Sequence, residues 1–222
     1  MTAKPPSDNS VDEQGFRQLW PVLLLQRTLP GHDQANPVLE QSILHQEAMH
    51  EGLTTDYAQQ NLFASDDPAI NWLMQCIHKS AADYCHRAGM DYAIDWTLQG
   101  WANVNRLGDY HDPHNHPHAY LSGTYYVRVP QSRASLHNRA DVRPGCITFY
   151  DPRGSVNMTA IKNDPQVEPE FTVVPQAGMI LMWPAFLLHY VHPNLADDLR
   201  ISISFNLIVK SPTNYLPSQL RK

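Results

Sequence analysis

The sequence has 222 residues, of which 42% are hydrophobic and 17% are charged, and its formal net charge at pH 7 is −6. This composition is typical of a globular protein with one sizeable domain, while the acidic charge and the lack of a run of about 18 apolar residues argue against a nucleic-acid partner and a membrane span. Three cysteines without zinc-type spacing, and first residues without an apolar signal core, favour free thiols in the cytoplasm.

The chain is predicted to start with a polar lead-in and a short strand. Residues 1–14 are polar and predicted to be disordered, ahead of a single domain at residues 15–222. Residues 19–25 are an apolar run that predicts a strand. The pair Pro30-Gly31 indicates a turn after it.

Two helices are predicted next, and they form a buttress at about residues 36–90. The first is expected to begin at Pro37 with Asn36 as its cap, and to end near Gly52. The second has a start signal at residues 65–68, apolar residues at helical spacing and a stop at Gly89.

From about residue 92 to residue 210 the pattern changes to short strands separated by proline and glycine. The predicted strands are residues 92–106, 121–129, 146–150, 171–174, 179–183 and 201–209. Residues 153–170 form a long polar loop that could act as a lid, where specificity would lie. Helices followed by a series of strands predict a mainly β fold with N-terminal helices, a sandwich or a barrel.

A histidine-rich rim occupies residues 109–118, which contain four of the twelve histidines together with two aspartates and two prolines. Pro113 and Pro117 argue against a helix interior and a central strand. The rim is therefore predicted to be irregular and to present imidazoles, which are common ligands for iron, zinc, copper and nickel. A solvated histidine-rich loop is the alternative.

A second informative stretch combines His189 with Arg200 and Ser202. Ten residues separate His189 from Arg200, and Ser202 follows two positions later, so both side chains face the same way on a strand. A histidine at the end of one strand can bind a metal, while an arginine and a hydroxyl on the neighbouring strand can hold a carboxylate.

These stretches resemble the Fe(II)- and 2-oxoglutarate-dependent oxygenases, and more closely a little-characterised bacterial and phage branch with a Pro-His-Asn-His-Pro motif. The resemblance runs from about residue 96 to residue 209. It is carried by residues 101–106, 113–117, 121–126, 151–153 and 183–206. It implies a double-stranded β-helix (jelly roll, cupin-like) and the cofactors Fe(II), 2-oxoglutarate and O2.

The resemblance implies that His114 and His189 are metal ligands. The position where the family has Asp or Glu is occupied by His116. Either His116 completes a three-histidine face, or Asp109 or Asp112 supplies a carboxylate. Three histidines are favoured because residues i and i+2 of an extended segment project to one side.

The resemblance also implies that Arg200 and Ser202 bind the far carboxylate of 2-oxoglutarate. Further roles follow from position on strands that should line the cavity. Asn105 and Tyr125 are expected to bind the co-substrate, although Tyr125 could equally be a packing aromatic. Asn103, Asp112 and His192 are expected to contact and orient the residues that bind the metal or the co-substrate.

The expected function is hydroxylation of an unidentified small molecule or peptide. One alternative is a cupin-like dioxygenase with three histidines, which explains His116 but leaves Arg200 and Ser202 without a purpose. A zinc hydrolase is disfavoured because no His-Glu-x-x-His helix occurs. A non-catalytic metal-binding β-sandwich is a further alternative, and a homodimer through exposed strand edges is considered.

Overall fold

The structure is a computed structural model that describes residues 14, 20–49, 61–90, 94–131, 143–153, 164 and 167–210. Apart from residue 14, the predicted lead-in lies outside these residues, as does most of the polar loop predicted at residues 153–170. The predicted domain boundaries stay a prediction.

The described strands form two antiparallel sheets. In chain order they are β1 Leu25–Thr28, β2 Trp96–Asn105, β3 His111–His114, β4 Leu121–Arg128, β5 Ile147–Tyr150, β6 Glu170–Val173, β7 Met179–Pro184, β8 His189–Val191 and β9 Arg200–Val209. One sheet has the order β1-β7-β4-β9-β2 and the other the order β3-β8-β5-β6. The prediction of a mainly β fold with N-terminal helices is confirmed.

The central strands of the five-stranded sheet are buried on both faces. Along β7, Ile180 and Met182 pack into the core beneath the helices, whereas Leu181 and Trp183 pack against residues of the four-stranded sheet. Successive side chains of a strand point to opposite faces, so one strand serves two cores. The inner face of this sheet therefore forms one wall of the space between the two sheets.

Two α-helices, α1 His32–Ala48 and α2 Pro68–Arg87, cover the outer face of the five-stranded sheet. The sequence signals for α2 are confirmed: the Asp67 carboxylate caps the helix by accepting from the Ala69 N–H at 2.7 Å, and Gly89 follows it with φ +84°. None of the helices in the described part of the chain is long and apolar enough to span a bilayer.

Three predicted boundaries are corrected. Helix α1 begins at His32 after Gly31, whose φ is +82°, and Asn36 lies inside the helix instead of capping it. Residues 21–24 are irregular, and β1 begins only at Leu25, where pairing with β7 starts. The histidine-rich rim contains the short strand β3, and a strand there is compatible with Pro113 because β3 is at the edge of its sheet.

Candidate metal centre and carboxylate pocket

Three histidines meet at one end of the space between the sheets. The ligand-capable atoms of His114, His116 and His189 all lie within 4.8 Å of one another. His114 and His189 are direct partners of strands β3 and β8, with ring centroids 4.3 Å apart. His116 follows two residues after His114, and its ring stacks on His189 at 5.3 Å. The strand pairing thus brings together residues that are 75 positions apart in the sequence.

Backbone carbonyls orient two of these rings. His114 Nδ1 lies 2.6 Å from the Asp112 carbonyl oxygen, and His189 Nδ1 lies 3.0 Å from the Leu187 carbonyl oxygen. A carbonyl accepts, so Nδ1 of each ring donates this hydrogen bond and Nε2 is the ring nitrogen that remains for a metal. Such a contact behind a histidine is the usual arrangement at protein metal sites.

The rings of His116 and His189 are uncharged at neutral pH. Burial, assisted by the neighbouring His114, lowers the pKa of His189 to about 3 and the pKa of His116 to about 4. Neutral imidazole is the form that binds a metal. The backbone of His116 is fixed as well, because its N–H donates to the Ala185 carbonyl at 2.9 Å.

Neither aspartate of the rim joins the histidines. Asp109 Oδ2 accepts from the Arg106 backbone N–H at 2.8 Å, and Asp112 is exposed and contributes its backbone carbonyl. Within the described part of the chain, the only cluster of three or more metal-binding side chains is the three-histidine face, defined as His114, His116 and His189.

Arg200 lies in the same cavity and is 1% exposed. Its Nη1 donates to the His192 carbonyl at 3.0 Å, and its Nη2 donates to Asn105 Oδ1 at 3.1 Å. None of the ion pairs formed by the described residues includes Arg200. A guanidinium has five N–H donors, and a buried positive charge without a carboxylate partner is suited to an anionic ligand.

Ser202 stands beside Arg200 on the same face of β9. Asn103, its strand partner on β2, donates through Nδ2 to Ser202 Oγ at 3.4 Å and to Ser204 Oγ at 3.0 Å. Because these hydroxyls accept from Asn103, each can direct its own O–H elsewhere. The pair Arg200 and Ser202 can therefore present several donors to one carboxylate.

A cavity lies between the two sheets. It brings together the three-histidine face, Arg200 and Ser202, as the sequence predicted for their positions. No carboxylate of a described residue is part of the lining. The remaining lining residues are Trp101, His111, Gly123, Thr124, Tyr126, Ile147, Trp183, Val191 and Ser204.

The structure corrects the expectation for Tyr125. Its side chain is on the outer face of the sheet, where its hydroxyl donates to Asn36 Oδ1 at 2.5 Å and its ring contacts Trp72 edge-on at 6.0 Å. The next residue, Tyr126, lines the cavity instead and is the strand partner of Ser202. Alternation along β4 puts the two side chains on opposite faces of the sheet, but because residues 121–127 are all buried, the sequence carried no signal for which face lines the cavity.

Asn105, His192 and His111 lie around Arg200. Asn105 and His192 both hold Arg200, and the His192 ring is itself fixed because its Nε2 lies 2.7 Å from Thr148 Oγ1. His111 also lines the cavity, at 3.5 Å from Asn105 Nδ2, and sequence reasoning had left it at the rim. Burial, followed by Arg200, lowers the pKa of His111 to about 4, so this ring is neutral too.

Comparison with known proteins adds a family match. Residues 99–206, about half of the chain, match the family model described as "Putative 2OG-Fe(II) oxygenase". This region spans β2 to β9 and includes all residues of the three-histidine face and the Arg200–Ser202 pair. A search of the curated proteins finds no match.

Solved structures share the fold at low sequence identity. A prolyl-4-hydroxylase from Pseudomonas putida matches with a TM-score of 0.56 and 13% identity, over 85% of this chain and 88% of that one. HygX from Streptomyces hygroscopicus, solved with nickel and 2-oxoglutarate, matches with a TM-score of 0.53 and 13% identity, over 83% of this chain and 81% of that one. A Trichoplax adhaerens prolyl hydroxylase, solved with a peptide fragment of hypoxia inducible factor, matches with a TM-score of 0.54 and 15% identity, over 84% of this chain and 83% of that one. The predicted double-stranded β-helix is confirmed.

Proposed function

We infer the function of this chain from the premise that it belongs, through residues 99–206, to the Fe(II)- and 2-oxoglutarate-dependent oxygenases. It is an enzyme of the non-haem iron dioxygenase type, and its cofactors are Fe(II), 2-oxoglutarate and O2. We propose that it hydroxylates a small molecule or a peptide, with the metal on the three-histidine face and 2-oxoglutarate between that face and Arg200.

One observation carries this proposal: the three-histidine face and Arg200, a buried arginine that forms no ion pair with any described residue, line the same cavity. A metal-binding protein without a co-substrate would have no need for Arg200. Keeping a guanidinium away from water is costly unless a charge of opposite sign approaches it. A dicarboxylate that reaches from the metal to Arg200 supplies that charge.

The residues present fit Fe(II). Three imidazoles suit iron, and also nickel, copper and zinc, and the carbonyl contacts of His114 and His189 leave Nε2 of each ring for the metal. With His116 in place of a carboxylate, the site is one unit more positive than a two-histidine, one-carboxylate site. That extra positive charge favours an anionic co-substrate.

The contribution of the protein to the reaction is positioning and exclusion of water. Fe(II) with 2-oxoglutarate and O2 supplies, when bound, the oxidising chemistry that inserts oxygen into a C–H bond. Arg200 and Ser202 would bind and orient the far carboxylate through several N–H and O–H donors. The rings of Phe149 and Trp183 pack against the His189 ring, with centroid distances of 6.0 and 4.9 Å, so they shield this side of the site from water.

The proposed substrate class rests on fold relatives. The P. putida structure is a prolyl-4-hydroxylase, and the T. adhaerens enzyme was solved with a peptide.

A three-histidine dioxygenase that does not use 2-oxoglutarate is the second candidate, and the observation that favours it is His116 at the third position. Both candidates predict metal binding. They differ in what Arg200 does, because only the first requires this residue to bind a co-substrate.

The test is anaerobic titration of the Fe(II)-loaded protein with 2-oxoglutarate, followed by visible absorption and by thermal unfolding. We expect a weak charge-transfer band and a rise in unfolding temperature, and we expect Arg200→Ala to weaken 2-oxoglutarate binding by about 10–100-fold. Arg153→Ala is the matched control, because Arg153 is exposed and paired with Asp151. Metal binding without any response to 2-oxoglutarate would favour the second candidate.

A further inference from the structure

The indole N–H of Trp183 is buried and has no hydrogen-bond acceptor among the described residues. Trp183 is 2% exposed, and its Nε1 atom is buried from solvent as well. Most buried polar groups in folded proteins are hydrogen-bonded, and a buried donor without an acceptor costs free energy. The comparable Trp96 illustrates the usual case, since its Nε1 donates to His78 Nδ1 at 2.9 Å.

Trp183 is one of the residues that line the cavity of the candidate site. It is near the end of β7, its side chain faces the space between the sheets, and it is part of the cavity lining. The indole contacts the His189 ring edge-on, with centroids 4.9 Å apart and an interplanar angle of 65°. No other tryptophan in the described part of the chain makes a ring contact with His189.

The immediate neighbours of Trp183 are not acceptors for its N–H. His189 Nδ1 is engaged with the Leu187 carbonyl, and the indole N–H makes no hydrogen bond to the His189 ring. Phe149, whose ring centroid lies 4.9 Å from that of the indole, has no acceptor atom. The described residues around the indole therefore leave this donor without an acceptor.

We propose that Trp183 Nε1–H donates a hydrogen bond to an oxygen atom bound at the three-histidine face, either a carboxylate or keto oxygen of 2-oxoglutarate or the oxygen of a metal-bound water. This inference rests on the proposed function. Both sources present an oxygen acceptor with negative character, to which an indole N–H, a donor only, is suited. Trp183 is then a ligand-positioning residue that completes its hydrogen bonding only when the site is loaded.

The experiment measures binding and not turnover. Mn(II), which does not drive the reaction, is titrated into the full-length protein by calorimetry, and 2-oxoglutarate is then titrated into the Mn(II)-loaded protein. Trp183→Phe removes the N–H, and site-specific replacement of Trp183 by benzothienylalanine keeps the ring shape without the N–H. Trp96→Phe is the matched control, since it removes an indole N–H outside the cavity.

We expect both Trp183 variants to weaken one of the two binding steps by about 10-fold, with unfolding temperature of the metal-free protein unchanged for the isostere. Loss confined to the 2-oxoglutarate step assigns the acceptor to the co-substrate, and loss in the Mn(II) step assigns it to metal-bound water.

Three results would overturn the inference. One is wild-type affinity in both steps for the benzothienylalanine protein, and another is an equal loss in Trp96→Phe. The third is a wild-type protein that binds neither Mn(II) nor 2-oxoglutarate, which would overturn the proposed function together with this inference. The first two results, obtained with a wild-type protein that binds both Mn(II) and 2-oxoglutarate, would overturn only the role of Trp183.

Discussion

Asn105 and Arg200 are direct partners on strands β2 and β9, and the Asn105 side chain accepts a hydrogen bond from the Arg200 guanidinium at 3.1 Å. The pair is buried, at 1% exposure for each residue. The amide oxygen therefore fixes the orientation of Arg200 without neutralising its charge. This is the arrangement expected where the charge is reserved for a ligand.

The first prediction concerns that pair. Asn105→Ala should weaken 2-oxoglutarate binding by about 5-fold, because one hydrogen bond that orients Arg200 is lost. Asn105→Asp should weaken it by more than about 10-fold, because a carboxylate beside the guanidinium competes with the ligand. Calorimetric titration of the metal-loaded variants measures both, with metal affinity as the internal control. Tighter binding in Asn105→Asp than in Asn105→Ala would contradict the assigned role of the charge.

The second prediction concerns the third metal ligand. His116→Ala should lower metal affinity by at least about 10–100-fold, the loss typical of removing a residue that supports a ligand. Asp112→Ala should leave it unchanged, because His114 is oriented by the Asp112 backbone carbonyl, which alanine retains. Equilibrium dialysis against Fe(II) or Mn(II) gives the two affinities. The reverse order of losses would show that the rim supplies a carboxylate instead.

His116→Asp offers a companion test of the same site. It restores the His-x-Asp spacing of the family, so it should retain metal where His116→Ala does not. The carboxylate ligand also lowers the charge of the site by one unit. Loss of metal in both variants, measured by the same dialysis, would show that a carboxylate at this position does not replace the imidazole.

The third prediction separates the two neighbouring tyrosines of β4. Tyr125→Phe leaves the buried Asn36 Oδ1 without its hydroxyl donor, so it should lower the free energy of unfolding by about 1–3 kcal/mol and leave 2-oxoglutarate affinity unchanged. Tyr126→Phe should instead weaken 2-oxoglutarate binding by about 3–10-fold, because burial raises the pKa of Tyr126 and keeps its phenol a donor within the cavity. Urea denaturation and calorimetry distinguish the two effects, and an exchange of the two outcomes would place Tyr125 at the site.

The fourth prediction concerns the close approach at Gly123. A Cβ at this position would lie 2.2 Å from Phe205 Cζ and 2.5 Å from the Leu181 carbonyl oxygen. Gly123→Ala should therefore cost about 1–3 kcal/mol of stability, because the backbone oxygen cannot move aside. Gly145→Ala is a contrasting variant, since no atom lies within 4 Å and any loss there comes from its φ of +70°. A Gly123→Ala protein as stable as the wild type, measured by thermal unfolding, would mean that the neighbours of Gly123 move aside.

Much of the architecture was readable from local signals. The capped and amphipathic α2 and most strands follow from side-chain periodicity, which local sequence carries directly. The three-residue strand β8 was not among the predicted strands, because so short a segment has no periodicity to read and exists only through its pairing with β3 and β5. The start of α1 was predicted wrongly because Asn36 followed by Pro37 is a common helix start, whereas α1 begins at His32 and Pro37 lies inside it.

The sequence by itself determined which residues could form the site: the spacing of His114 and His116, and of Arg200 and Ser202, puts each pair on one side of an extended segment. Only the tertiary structure decided which side faces the cavity. Residues 121–127 of β4 are all buried, because helices cover one face and the second sheet covers the other. Alternation therefore separates Tyr125 from Tyr126 but cannot say which one meets a ligand. Likewise, the unsatisfied N–H of Trp183 exists only once β7 and β8 are packed together, since hydrogen-bond partners are a property of the folded chain.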